Sequence, residues 1–143
     1  MQALYTAKAT ATGGRDGQVK SVDGALDIQV KPPKEMGGPA GNNLNPEILF
    51  AGGYAACFDS ALNHIARLEK VAVTGTSVTA EVSIGKLENG GFGLAVVLDA
   101  HVIGVDQATA EGLVNKAHQV CPYSNAIRNN VEVKLNITSS ATA

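Results

Sequence analysis

Between Ile48 and Leu62 only Asp59 and Ser60 are clearly polar, so a helix drawn through this stretch is apolar around nearly its whole circumference. A surface helix shows an apolar stripe; one that is apolar all round must be buried, in a core or against a partner subunit. Asn45 is a good N-cap and Pro46 suits the first helical position, so the helix is expected to run from there to about Lys70. Gly52-Gly53 interrupts it at a cost of about 1 kcal/mol per glycine relative to alanine. Close packing is the usual reason for accepting that cost. Whatever this chain folds into has to be built around this helix.

The rest reads as strands, then this helix, then strands, then a second helix. Alternation of β-branched and polar residues places short strands at 4–12, 18–23 and 25–31, with turns at Arg15-Asp16-Gly17 and Asp23-Gly24. The stretch from Pro32 to Asn45 holds three prolines and three glycines, an irregular loop long enough to suggest a functional role. Residues 72–84 and 92–104 alternate again around Glu88-Asn89-Gly90-Gly91, which marks a hairpin. Asp106 caps a helix expected to reach Val120, a further helical turn follows Pro122, and Val131 to Ile137 forms a last strand. The tail from Thr138 is polar and expected to fray. The pattern implies an α+β fold in one domain spanning 1–143, without internal repeat or linker.

Several function classes fall away on composition. With 45% apolar and 17% charged residues, the chain has enough apolar surface to bury a core. Its net charge of −2 and scattered lysines and arginines provide no footprint for nucleic acid. No segment has the roughly 18–20 uninterrupted apolar residues of a membrane helix, and the N-terminus does not read as a secretory signal. A soluble intracellular protein is the expectation.

Cys57 and Cys121 are the only thiols. Inside a cell, two cysteines are more often reactive or metal-binding than a structural staple, although they can also simply fill space as small hydrophobes. Cys57 lies within the apolar helix, where burial alone raises a thiol's pKa, so a reactive Cys57 needs a cation nearby. Cys121 precedes Pro122, where one helix ends and the next begins. A zinc site would draw on His64 or His118. Cys57 and His64 are seven residues apart, roughly 10 Å along a helix axis, and cannot share a metal; His118 and Cys121 could. His64, His101 and His118 read rather as surface or packing residues, and no metal or cofactor is expected. A cysteine–histidine nucleophile for acyl transfer lacks any signature. A peroxidatic and resolving pair needs two cysteines, a cation and no cofactor, and the sequence meets that requirement.

The segments Gly14-Arg15-Asp16-Gly17, Asn45-Pro46-Glu47 through Tyr54-Ala55-Ala56-Cys57-Phe58, and Val120-Cys121-Pro122-Tyr123-Ser124-Asn125-Ala126 resemble those of the organic hydroperoxide resistance proteins, Ohr, within the OsmC-like family. The resemblance spans almost the whole chain; Gly52-Gly53 stands where many members carry alanine at one position. It implies an OsmC-like fold, an intertwined homodimer with sheets wrapped around paired central helices, and sites at the subunit interface. It also implies a cysteine-based peroxidase, located in a bacterial cytoplasm, that acts on organic hydroperoxides and is reduced by dithiols such as lipoylated proteins. Carried over, Cys57 becomes the peroxidatic thiol, Cys121 the resolving one, Arg15 the arginine that holds the thiolate, and Glu47 the carboxylate that positions Arg15. Alternatives within this reading are a general or hydrogen-peroxide-preferring peroxidase of OsmC type, and a redox-sensing or ligand-binding module that uses the same disulfide as a switch.

Overall fold

The helix predicted from the apolar run is α1, Pro46–Leu68. The computed structural model describes residues 1–142 and forms two compact units, Met1–Leu49 and a second from Phe50 onward.

The first unit is a meander of three short antiparallel strands, β1 (Ala9–Thr12), β2 (Gly17–Ser21) and β3 (Asp27–Val30), in that order. Thr12 and Gln18 face each other across the first turn. Gly13 and Gly14 both have positive φ there, and a Cβ on Gly13 would stand 2.9 Å from the Asp16 carbonyl oxygen, so the turn requires glycine. The expected strand over 4–12 shortens to β1. Pairing ends where the Val22 N–H donates to the Lys8 carbonyl, and residues 1–7 are exposed. The loop after β3 holds a single 3-10 turn at Lys34–Met36 and rejoins the sheet through a parallel bridge between Leu44 and Val30. Only Val30 and Asn45 are buried in this unit, and β1 is exposed on all four residues.

In the second unit, β4 (Gly75–Lys86) and β5 (Phe92–Ile103) pair antiparallel through the expected hairpin. β6 (Glu132–Ser140) lies parallel to β5. A parallel neighbour requires a crossover, supplied by α2 (Gln107–Val120) and α3 (Pro122–Ile127). Asp106 caps α2, its side chain accepting from the Thr109 N–H at 2.7 Å. The tail does not fray at Thr138: residues 138–140 continue β6 opposite His101, Val102 and Ile103. His101 also binds Thr138 Oγ1 and Ser140 Oγ through its two ring nitrogens, at 2.7 and 3.1 Å.

One core organises this unit. Tyr54, Phe58, Leu62 and Ile65 of α1 pack with Val96, Leu98, Ala100 and Val102 of β5, with Leu113 and Val114 of α2, and with Cys121. The period-2 burial along β5 and the spacing of Ala110, Leu113, Val114 and Ala117 along α2 are the two signatures of half-buried elements. The opposite face of α1 is not covered: Ile48, Gly52, Ala56 and Ser60 are exposed. No helix among the described residues is long and apolar enough to cross a membrane.

Candidate active site

Pro122 sets the position of Cys121. A proline cannot continue α2, and it drives the preceding residue to extended backbone; Cys121 has φ −61° and ψ 122° and links α2 to α3. Its carbonyl accepts from the Asn125 N–H, while its own N–H closes α2 on the Ala117 carbonyl. This junction lies against α1 so that the Cys121 thiol points at the Cys57 sulfur, 3.7 Å away. Both are free thiols, Cys121 fully buried and Cys57 half-buried.

Burial pushes the Cys57 pKa above its ordinary value, as its apolar helix implied. The Tyr123 backbone beside the sulfur acts the other way, while the nearby Cys121 raises the value again. Two thiols this close tolerate one negative charge more readily than two.

Tyr123 packs over α1 at close range. A Cβ on Gly53 would come within 2.8 Å of the Tyr123 hydroxyl oxygen and 3.2 Å of its ring, whereas one on Gly52 would meet nothing within 4 Å. Close packing therefore explains Gly53 but not Gly52. Phe50 meets the Tyr123 ring edge-on at 6.1 Å, and the two rings form an aromatic wall.

Arg15 and Glu47 form the second pair. Glu47 follows Pro46 in the first turn of α1, whose start is fixed by the Asn45 side chain accepting from the Ile48 N–H at 2.8 Å. Arg15 leaves the Gly13-Gly14 turn and grips both carboxylate oxygens of Glu47, Nη1 to Oε2 at 2.8 Å and Nη2 to Oε1 at 2.5 Å. Such a two-pronged contact fixes direction as well as charge. It holds the Glu47 carboxyl below its ordinary pKa and raises that of Arg15. Lys31 forms an ion pair with Asp16, which tethers the same turn.

Three polar side chains lie beside the thiols, and the sequence alone assigned no individual role to two of them, Tyr54 and Ser124. The Tyr54 hydroxyl lies 2.7 Å from Ser124 Oγ, which lies 2.8 Å from His118 Nδ1. Burial and the charge of Arg128 lower the His118 pKa and so favour the neutral ring. His118 had read as a surface or packing residue. The one available signal is its spacing, three residues before Cys121, with Ser124 three residues after. Among the described residues, no three His, Cys, Asp or Glu side chains converge as a metal site requires.

The family model for OsmC-like proteins matches residues 38–136. The chain is 51% identical, over 94% of its length and 94% of the relative's, to the organic hydroperoxide resistance protein of Xanthomonas axonopodis pv. citri. It is 46% identical to organic hydroperoxide resistance protein OhrB of Bacillus subtilis, over 94% of this chain and 98% of that one. The crystal structure of an organic hydroperoxide resistance protein from Elizabethkingia anophelis, with thiocyanate bound, covers all of both chains at 54% identity and a TM-score of 0.92.

Proposed function

The chain belongs to the OsmC-like family, among its organic hydroperoxide resistance proteins, and from that premise we propose that it is a thiol-dependent peroxidase that reduces organic hydroperoxides to alcohols. The observation that carries the reading is the 3.7 Å approach of the two thiols, one half-buried and one fully buried.

The chemistry runs in three steps. The Cys57 thiolate attacks the outer oxygen of the hydroperoxide; the O–O bond breaks, the alkoxide takes a proton and leaves as alcohol, and Cys57 becomes a sulfenic acid. Cys121 then attacks that sulfur. An S–S bond forms, and the hydroxyl leaves with the Cys121 proton as water. A dithiol finally reduces the disulfide through a mixed disulfide, leaving both cysteines as thiols and the reductant as its own disulfide. We assign this role to dihydrolipoyl groups on lipoylated proteins, whose two thiols end an apolar chain suited to the Phe50–Tyr123 wall. The setting is the bacterial cytoplasm.

Arg15 is assigned to the first step. A guanidinium beside Cys57 favours the thiolate that burial opposes, and it hydrogen-bonds the peroxide oxygen on which negative charge develops. Glu47 aims it. On α1 the two residues Glu47 and Cys57 are ten positions apart, about 15 Å along a helix axis. The proposal therefore includes a homodimer in which an Arg15–Glu47 pair serves the Cys57 of the second copy. The small apolar residues exposed on α1 and the nearly coreless first sheet favour such a partner.

Steady-state consumption of tert-butyl hydroperoxide with dihydrolipoamide tests the reading. Many turnovers per chain support it. Consumption that stops after one equivalent replaces it with a redox sensor built on the same disulfide.

A further inference from the structure

Cys121 is enclosed by bonds that the chemistry above does not use. His118 and Ser124, three residues to either side of it, meet across it at 2.8 Å. Arg128 spans the same junction, with Nη2 donating to the His118 carbonyl at 2.6 Å and to Asn125 Oδ1 at 2.9 Å. From the other side, the Tyr54 hydroxyl reaches Ser124 Oγ at 2.7 Å. Tyr54 lies three residues before Cys57 on α1. A chain of three polar side chains thus joins the helix that carries one thiol to the junction that carries the other.

Tyr54 and Ser124 are wholly buried. Burying such groups is costly unless each is paired, and an apolar contact would bind the helices without that risk. Directional bonds add a fixed orientation. With a neutral His118, one consistent arrangement has Tyr54 donating to Ser124, Ser124 donating to His118 Nδ1, and the imidazole carrying its proton on Nε2. Removing any one group strands another in the interior.

We propose that the Tyr54–Ser124–His118 chain positions the disulfide-forming step, holding the α2–α3 junction at the rotation that aims the Cys121 thiol at Cys57. The inference rests on the peroxidatic and resolving roles given above to the two cysteines. In that step the Cys121 S–H and the Cys57 S–O bonds break, the S–S bond forms, and water leaves. From 3.7 Å the sulfurs have to close by only about 1.7 Å to reach bonding distance. A junction free to rotate would lose that alignment. The three side chains bond to one another and not to either sulfur; they are positioning residues.

Tyr54→Phe removes one hydroxyl and keeps the ring, so it is the cleanest test, with Ser124→Ala as a second. Each variant is oxidised with tert-butyl hydroperoxide without reductant. Stopped-flow traces give the ratio of the second step to the first, and intact-mass spectrometry gives disulfide against sulfinic acid. Loss of one buried hydrogen bond should lower that ratio about threefold to tenfold and raise the sulfinic share. His118→Asn, whose amide stands where Nδ1 does, should recover the ratio, and His118→Leu should not. A wild-type ratio in Tyr54→Phe and Ser124→Ala, or equal behaviour of His118→Asn and His118→Leu, overturns the proposal. Diamide, which pairs thiols without peroxide chemistry, separates the two levels of the argument. If hydroperoxide leaves the wild type unoxidised, the peroxidase reading fails; slower diamide pairing in Tyr54→Phe then still supports the positioning role, and equal pairing overturns it.

Discussion

The Cys121 thiol points at the Cys57 sulfur from 3.7 Å, and it is the more deeply buried of the two. Under the proposed peroxidase reading, that asymmetry assigns the attack on the oxidant to the more accessible sulfur and the resolving step to the enclosed one.

Cys57→Ser should therefore abolish hydroperoxide consumption. Cys121→Ser should still be oxidised once and then climb to sulfinic acid under excess peroxide, because nothing intercepts the sulfenic acid. Mass spectrometry of both variants reads this directly. Wild-type consumption by Cys57→Ser would reverse or void the assignment.

Arg15→Ala should shift the pH profile of Cys57 alkylation upward. Burial already places this thiol above its ordinary pKa, and loss of a cation removes an opposing influence, so the thiolate appears only at higher pH. Iodoacetamide labelling of the Cys121→Ser background isolates the signal. Glu47→Ala should shift it less, since it acts through the aim of the guanidinium. An unchanged profile in Arg15→Ala would mean that another cation serves Cys57.

The adjacent glycines should respond with opposite sign. Gly52→Ala meets nothing within 4 Å in its own chain and should gain about 0.5–1 kcal/mol of helix propensity within a single copy. Gly53→Ala drives a methyl into Tyr123 and should cost about 1–3 kcal/mol as an overpacked site. Urea unfolding of the two variants decides it, and equal shifts would refute the close approach of Tyr123.

Alkyl hydroperoxides should outrun hydrogen peroxide in the first step. If Phe50 and Tyr123 flank the incoming chain, each buried methylene gains about 0.8 kcal/mol. Two or three of them give about tenfold to a hundredfold preference. Second-order rates for hydrogen peroxide, tert-butyl hydroperoxide and a fatty-acid hydroperoxide test this, with Tyr123→Ala expected to narrow the spread. Phe58, next to Cys57 in sequence, is wholly buried in the core and takes no part in such a wall. Equal rates would leave a general peroxidase.

Local chemistry was readable in advance; long-range pairing was not. Asn45-Pro46 marked the start of α1, Asp106 that of α2, and Glu88 to Gly91 the hairpin, because caps and turns depend on residues a few positions apart. Residues 4–7 alternate like a strand but lie exposed beyond the end of the β1–β2 pairing. Thr138 to Ser140 look like a frayed end, yet β5 recruits them through a parallel pairing that no local pattern announces. Near the thiols the same limit applied. Cys57 and Cys121 were found as the only cysteines and through a family resemblance. Tyr54 and Ser124, 70 positions apart, are joined only by the fold.

A bond between Cys57 and Cys121 would close a covalent ring spanning 64 positions of the chain, with β4, β5 and α2 inside it. A crosslink of that span restricts the unfolded chain by about 4 kcal/mol in the loop-entropy account. Melting temperature would then report redox state, the oxidised form unfolding later than the reduced one. The same linkage runs backward: a native fold that already holds the sulfurs together favours their union, so any dithiol that reopens the ring must pull against the architecture as well as against the bond.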